Sequence, residues 1–202
     1  MTYAELISNI RDLGFSDDSE MEEFGELVYN SINRAISEIN LLVTPYIKRY
    51  EFEIDEADEG YLYLTMPDVD EYFLDFADTP VVYEADGEEQ YTKFNDFDIE
   101  AGDTMVIRQD DYHGSFRVFY RADPEPIRYG ENLPTAEELA QEIPLPRKAH
   151  FLVPLLAGYY VWLEDEPTKA AQYYNLYEQG VDTVSSTEAS KKIRVRVLPG
   201  GM

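Results

Sequence analysis

Carboxylates dominate the reactive side chains of this chain. It has 42 Asp and Glu against 16 Lys and Arg, two His and no Cys, for a formal net charge of −26 over 202 residues. Two carboxylates at the right separation can serve as general acid, base or nucleophile, but in so acidic a chain such pairs arise by chance and single out no residue. Asp55-Glu56-Ala57-Asp58-Glu59-Gly60 begins like a calcium loop. Its third position is Ala57 and its twelfth is Met66, neither of which offers a side-chain oxygen, so it reads as an acidic turn. His113 falls in an expected hairpin turn and His150 at a helix start after Arg147 and Lys148. Neither has an acid or a second His at metal-ligand spacing. The sequence contains no Gly-x-Ser-x-Gly, no phosphate-binding glycine loop and no dinucleotide fingerprint. Without Cys it forms no disulfide, thiolate metal site or Cys nucleophile, which fits an intracellular protein. The expectation is a protein that is not an enzyme, with no catalytic residue, metal or cofactor.

Two features point to binding between macromolecules instead. The first is aromatic. Phe151, Leu155, Tyr159, Tyr160 and Trp162, then Tyr173, Tyr174 and Tyr177, offer more apolar surface than a small helical platform needs. Tyr and Trp suit interfaces because one end is apolar and the other polar. These eight residues are candidates for a subunit interface; a Tyr-rich core is the other reading. The second feature is the basic C-terminus. Residues 191–202 hold four bases and no acid, so −26 for the chain leaves −30 on residues 1–190. Within Lys191, Lys192, Ile193, Arg194, Val195, Arg196, Val197 and Leu198, the apolar Ile193, Val195 and Val197 alternate with the basic Lys192, Arg194 and Arg196 like a strand. Such an arm could join a neighbour's sheet through main-chain hydrogen bonds while its arginines meet acids. It could also return to its own sheet or hang free.

Composition narrows the classes further. Hydrophobic residues make up 44% and aromatics 14%, enough for a core that an acidic disordered chain would lack. Phosphate neutralisation needs clustered Lys and Arg, so no specific nucleic-acid binding and no docking on anionic membranes is expected. No apolar run reaches the roughly 18 residues of a membrane span. Met1 to Glu5 lacks the basic and apolar regions of a signal peptide.

These candidates must be held by elements whose periods are legible. Thr2 and Glu5 form a capping box, followed by Leu6, Ile10 and Leu13 at helical spacing. A second start at Ser16–Ser19 leads to a stripe from Phe24 through Val28, Ile32, Ala35 and Ile39 to about Leu41. Thr44-Pro45 breaks the helix, and the pattern changes to short alternating runs. Expected strands are Tyr46–Ile54, Gly60–Met66, Tyr72–Phe76, Pro80–Glu84, Phe94–Ile99, Thr104–Arg108 and Ser115–Arg121, with a hairpin signal at Asp86-Gly87. A third helix is expected from about Arg147 to Glu164, with Pro154 kinking it or marking its start, and a fourth from Asp165-Glu166-Pro167 to Ser185–Thr187. The fold class is therefore α+β: a helical platform from N- and C-terminal helix pairs, an inserted antiparallel β barrel or sandwich, and an extended C-terminal arm. The expected division is 1–42 with 143–186 as one helical domain, 43–122 as the β insertion, 123–142 as a crossing loop and 187–202 as the basic arm.

The C-terminal pair carries a resemblance. Ile143-Pro144-Leu145-Pro146, the apolar run Leu152–Leu163, and Lys169-Ala170-Ala171-Gln172-Tyr173-Tyr174-Asn175-Leu176-Tyr177 resemble tailed-phage head-tail connector proteins. Asn33-Arg34-Ala35-Ile36-Ser37-Glu38-Ile39-Asn40 is similar to their opening helices. The resemblance covers roughly residues 1–42 and 143–184; the β insertion is not matched residue by residue. It implies a structural virion protein of the neck, made in the host cytoplasm. It implies a homo-oligomeric ring of about twelve beneath the portal protein, joined to a tail or stopper protein. The 191–198 segment would then dock on the portal or a neighbour, while DNA passes an acidic lumen without specific binding. The rival expectation is a non-enzymatic carbohydrate- or peptide-binding β module on a helical base, using exposed Tyr61, Tyr63 or Tyr91.

Overall fold

The computed structural model describes residues 1–12, 14, 24–55, 58–85, 90–127 and 134–192. The chain is α+β and divides into two compact units, 1–45 with 126–202 and 46–125.

The helical unit begins with α1, Tyr3–Asp12. Its cap is reciprocal: the Thr2 amide donates to Glu5 Oε2 at 2.9 Å and the Glu5 amide to Thr2 Oγ1 at 3.2 Å. Two otherwise orphaned donors are satisfied this way. Tyr3, Leu6 and Ile10 lie on one face and are buried. The start expected at Ser16–Ser19 lies outside the described residues; α2 spans Gly25–Leu42 and buries Val28, Ile32, Ala35, Ile36 and Ile39. The crossing segment is pinned to α2 by Asn33. Its amide donates to the Ile127 carbonyl at 2.7 Å and its oxygen accepts the Ile127 amide at 3.0 Å.

A single helical turn in the other unit, Met66–Val69, is α3. Back in the helical unit, the short α4, Ala136–Ala140, has a second capping box from Thr135 and Glu138. A strand-like bridge joins Thr2 to Glu142. The third main helix does not begin at Arg147: Arg147–Ala149 form a 3₁₀ turn, and α5 spans Leu152–Trp162. Pro154 therefore sits in the first turn, where its missing N–H leaves no bond unmade, and it need not kink the helix. Nearly the whole circumference of α5 is buried, from Leu152 to Trp162, as its lack of a polar face requires. The last helix, α6, spans Pro167–Lys192. It runs through the stop expected at Ser185–Thr187, because three small polar residues carry no Gly or Pro to end it.

The β unit contains two antiparallel sheets. The first has β1 (Ile47–Ile54), β7 (Gly114–Ala122), β3 (Phe73–Ala85) and β4 (Thr92–Lys93), in the order β1-β7-β3-β4. The second has β2 (Tyr61–Thr65), β6 (Thr104–Arg108) and β5 (Phe97–Glu100), in the order β2-β6-β5. The sheets do not close into a barrel. They share one core that includes Ile54, Val81, Phe116 and Val118 from the first sheet and Met105 and Ile107 from the second. The runs expected as separate strands at Tyr72–Phe76 and Pro80–Glu84 form the single irregular β3, with register shifts between Phe73/Asp75 and Phe76/Val81. Pro80 has no ladder donor, which suits the second irregularity. The hairpin expected at Asp86-Gly87 lies outside the described residues. The three-residue β5–β6 connection, Ala101-Gly102-Asp103, takes positive φ at Ala101 (51°) and Gly102 (87°), and the Asp103 amide donates to the Glu100 carbonyl at 3.3 Å.

Candidate functional site

The aromatic residues singled out in sequence come together in the helical unit, but they divide by burial. Trp162 is 4% exposed and Tyr177 5% exposed, and both belong to the unit's own core. For these two the expected role at a subunit interface is replaced by a role inside the subunit. Trp162 packs against Phe24, with ring centroids 6.4 Å apart, and Lys169 Nζ stands 3.3 Å over its indole. That ammonium also donates to the Gly14 carbonyl at 3.2 Å. An apolar face and a cation thus enclose the indole from two directions.

The other candidates lie nearer the surface. Leu155, Tyr159, Tyr160, Tyr173 and Tyr174 are half-buried and Phe151 is exposed. Tyr159 links Tyr160 and Tyr174 at centroid distances of 5.0 Å each, and Tyr174 continues to Tyr177 at 5.9 Å. This band crosses from α5 to α6. Beside it, Leu27 on α2 and Leu163 just past α5 are exposed. They line a groove of about 250 Å³ with Arg34, Tyr160 and Asp165.

Tyr160 is fixed at the wall of this groove. Its hydroxyl donates to Glu38, and the Arg34 guanidinium lies 4.0 Å over its ring. Burial, then the Glu38 bond, pushes its phenol up to about 12, against the opposing effect of Arg34. Burial likewise pushes Tyr177 up to about 12, helped by the charge of Glu38. Both phenols therefore stay neutral donors at any ordinary pH. The arrangement can hold an apolar side chain against Leu27 and Leu163 and present a fixed cation and carboxylate at its edge.

The remaining residues separate. His150 is buried; its Nε2 donates to the Leu145 carbonyl at 2.7 Å, and Nδ1 lies 3.0 Å from the Met1 nitrogen. His113 Nδ1 is 3.1 Å from the Asp55 carbonyl oxygen. Both rings are engaged by backbone groups. Asp58 and Asp110 serve as turn acceptors, for the Asp55 amide at 2.9 Å and the Gly60 amide at 2.8 Å. Among the described residues no group of three or more His, Asp or Glu is placed to hold a metal. Tyr61 and Tyr63 sit together on the outer face of β2, 58% and 59% exposed. Tyr91 is elsewhere, under Arg117 at 3.7 Å. Lys191 and Lys192 end α6 rather than opening an extended arm, and Ile193–Leu198 lie outside the described residues. No helix among the described residues is long and apolar enough to cross a membrane.

One cluster was not foreseen. Asp70 accepts from Lys48 Nζ at 2.8 Å, the Tyr120 hydroxyl at 2.9 Å and the Tyr72 amide at 3.0 Å. Lys48 and Tyr120 are opposite each other in the β1–β7 register. Sequence spacing carries no sign of this, because only strand pairing brings the residues together.

No protein-family model matches the chain, and a search of curated proteins gives no match either.

Proposed function

We propose that this chain is a structural subunit of a tailed-phage neck: a head-tail adaptor that assembles as a ring of about twelve beneath the portal protein and receives the tail or stopper protein. The observation that carries the reading is the half-buried tyrosine band of α5 and α6, with Leu27 and Leu163 exposed beside it. Packed subunits would cover that surface, and its tyrosines would keep their hydroxyls at the rim. The acidity supports the same reading. A body carrying −30 over residues 1–190 repels DNA phosphates, so a genome would slide past without sticking. The same charge opposes assembly, and the basic 191–198 segment supplies the opposite sign for docking on a neighbour or the portal.

Native mass spectrometry at several salt concentrations tests this. The parent chain should form a ring, and the Arg194→Glu/Arg196→Glu chain should remain monomeric with unchanged circular dichroism. Monomers of both, with and without portal, would overturn the reading.

A further inference from the structure

We propose that the open edge of β1 receives the Ile193–Leu198 segment of a second copy of this chain as an added antiparallel strand. The inference rests on the self-assembly reading above and names the surface that the arm meets. β1 pairs only with β7, so its other edge presents eight residues of backbone with no strand beside them among the described residues. An edge of that length is a template for strand addition. It is longer than the five residues of β2 and the four of β5, and six arm residues fit within it. Its core-side residues Tyr50 and Phe52 are only half-buried, which leaves apolar surface for a further strand to cover.

Charge selects the occupant. On the outer face β1 shows Arg49, Glu51 and Glu53; Glu51 already faces Arg49 at 3.2 Å and Arg117 at 2.8 Å, so Glu53 is the acid on which the arm's charge chiefly acts. An antiparallel arm that places Arg194 opposite Glu53 places Arg196 opposite Glu51 and the neutral Leu198 opposite Arg49. The same register sets Val195 beside Phe52 and Val197 beside Tyr50. A parallel arm would also set Arg194 and Arg196 against the two acids, at Glu51 and Glu53, but parallel ladders pair slightly less stably per residue than antiparallel ones. The acids and Arg49 also discourage indiscriminate edge pairing, so a strand with this alternation is admitted and an acidic one is not.

The absence of Cys makes the test direct. Directly opposed strand residues lie within disulfide reach. Full-length Glu53→Cys and full-length Arg194→Cys chains are mixed and mildly oxidised, and the products are mapped by mass spectrometry. The expected product is the mixed dimer joined by a disulfide between positions 53 and 194, about tenfold over either homodimer because docking raises the effective concentration. Asp98→Cys on β5, mixed with Arg194→Cys, should link no better than background. Preferential linkage to position 98, or closure within one chain when Glu53→Cys and Arg194→Cys are combined, overturns the proposal. Absence of any mixed product overturns it too. Native mass on the unmodified chain separates the causes: a ring without the link leaves the assembly reading standing, while monomers without the link remove both.

Discussion

At Asp70 three donors converge on one carboxylate whose side chain is 10% exposed. Burial alone would raise its pKa. The bonds from Lys48, Tyr72 and Tyr120 more than offset that and hold it below the ordinary 3.8. Its partner Tyr120 moves the other way, pushed up by burial and by the bond to Asp70. A folded pKa below the unfolded one means stabilisation present above about pH 4 and lost as pH falls through the folded value. Asp70→Asn keeps the size but removes the charge that Lys48 faces. It should cost about 1–3 kcal/mol at pH 7, since a charged partner is left half-buried. The gap to the parent should narrow as urea melts are repeated from about pH 5 down to about pH 3. A gap that persists unchanged at low pH would mean that the Asp70 charge is not what the network uses.

The contact between α5 and α6 depends on a glycine. A Cβ at Gly180 would stand 2.5 Å from Leu152 Cδ2 and 2.9 Å from Phe151 Cε2. Alanine favours a helix interior over glycine by about 1 kcal/mol, so an unpacked site would gain from the exchange. Here the cost of overpacking, about 1–3 kcal/mol, opposes it. Phe151 is exposed and can turn away, but Leu152 is fully buried and cannot. Gly180→Ala should therefore destabilise by about 1 kcal/mol net, read as a lower urea midpoint with an unchanged slope. A midpoint that rises would show that Leu152 repacks freely and that propensity wins.

For the whole molecule the governing quantity is −26 on 202 residues. Exposed ion pairs such as Arg147–Glu142 and Arg108–Asp110 add little, in contrast to the half-buried Lys48–Asp70 pair. Repulsion among unpaired carboxylates must then be a general load on the folded state. Raising NaCl from about 0.02 to 0.5 M shortens the screening length from roughly 20 Å to about 4 Å. The melting temperature should rise by several degrees over that range. A falling melting temperature would mean that attractive pairs outweigh repulsion, and the acidic surface would need another account.

Much of this architecture was determined locally. The Thr2–Glu5 cap, the stripe of α2, the break at Thr44-Pro45 and the change to period two are all readable, because each depends on neighbours within a turn or a pleat. Composition likewise determined the acidity and the basic tail. Tertiary structure decided what depends on distant partners: that α6 continues past Ser185–Thr187, that two expected strands merge into β3, and that the sheets remain open. It also decided which aromatics are core and which are surface. Trp162 and Tyr160 are two residues apart on one apolar helix, yet Phe24 and Lys169 pack on the first, which is buried, while Arg34 and Glu38 hold the second at a groove. A helix that is apolar all round carries no periodic signal for its exposed side, so only the elements packed against it can define one.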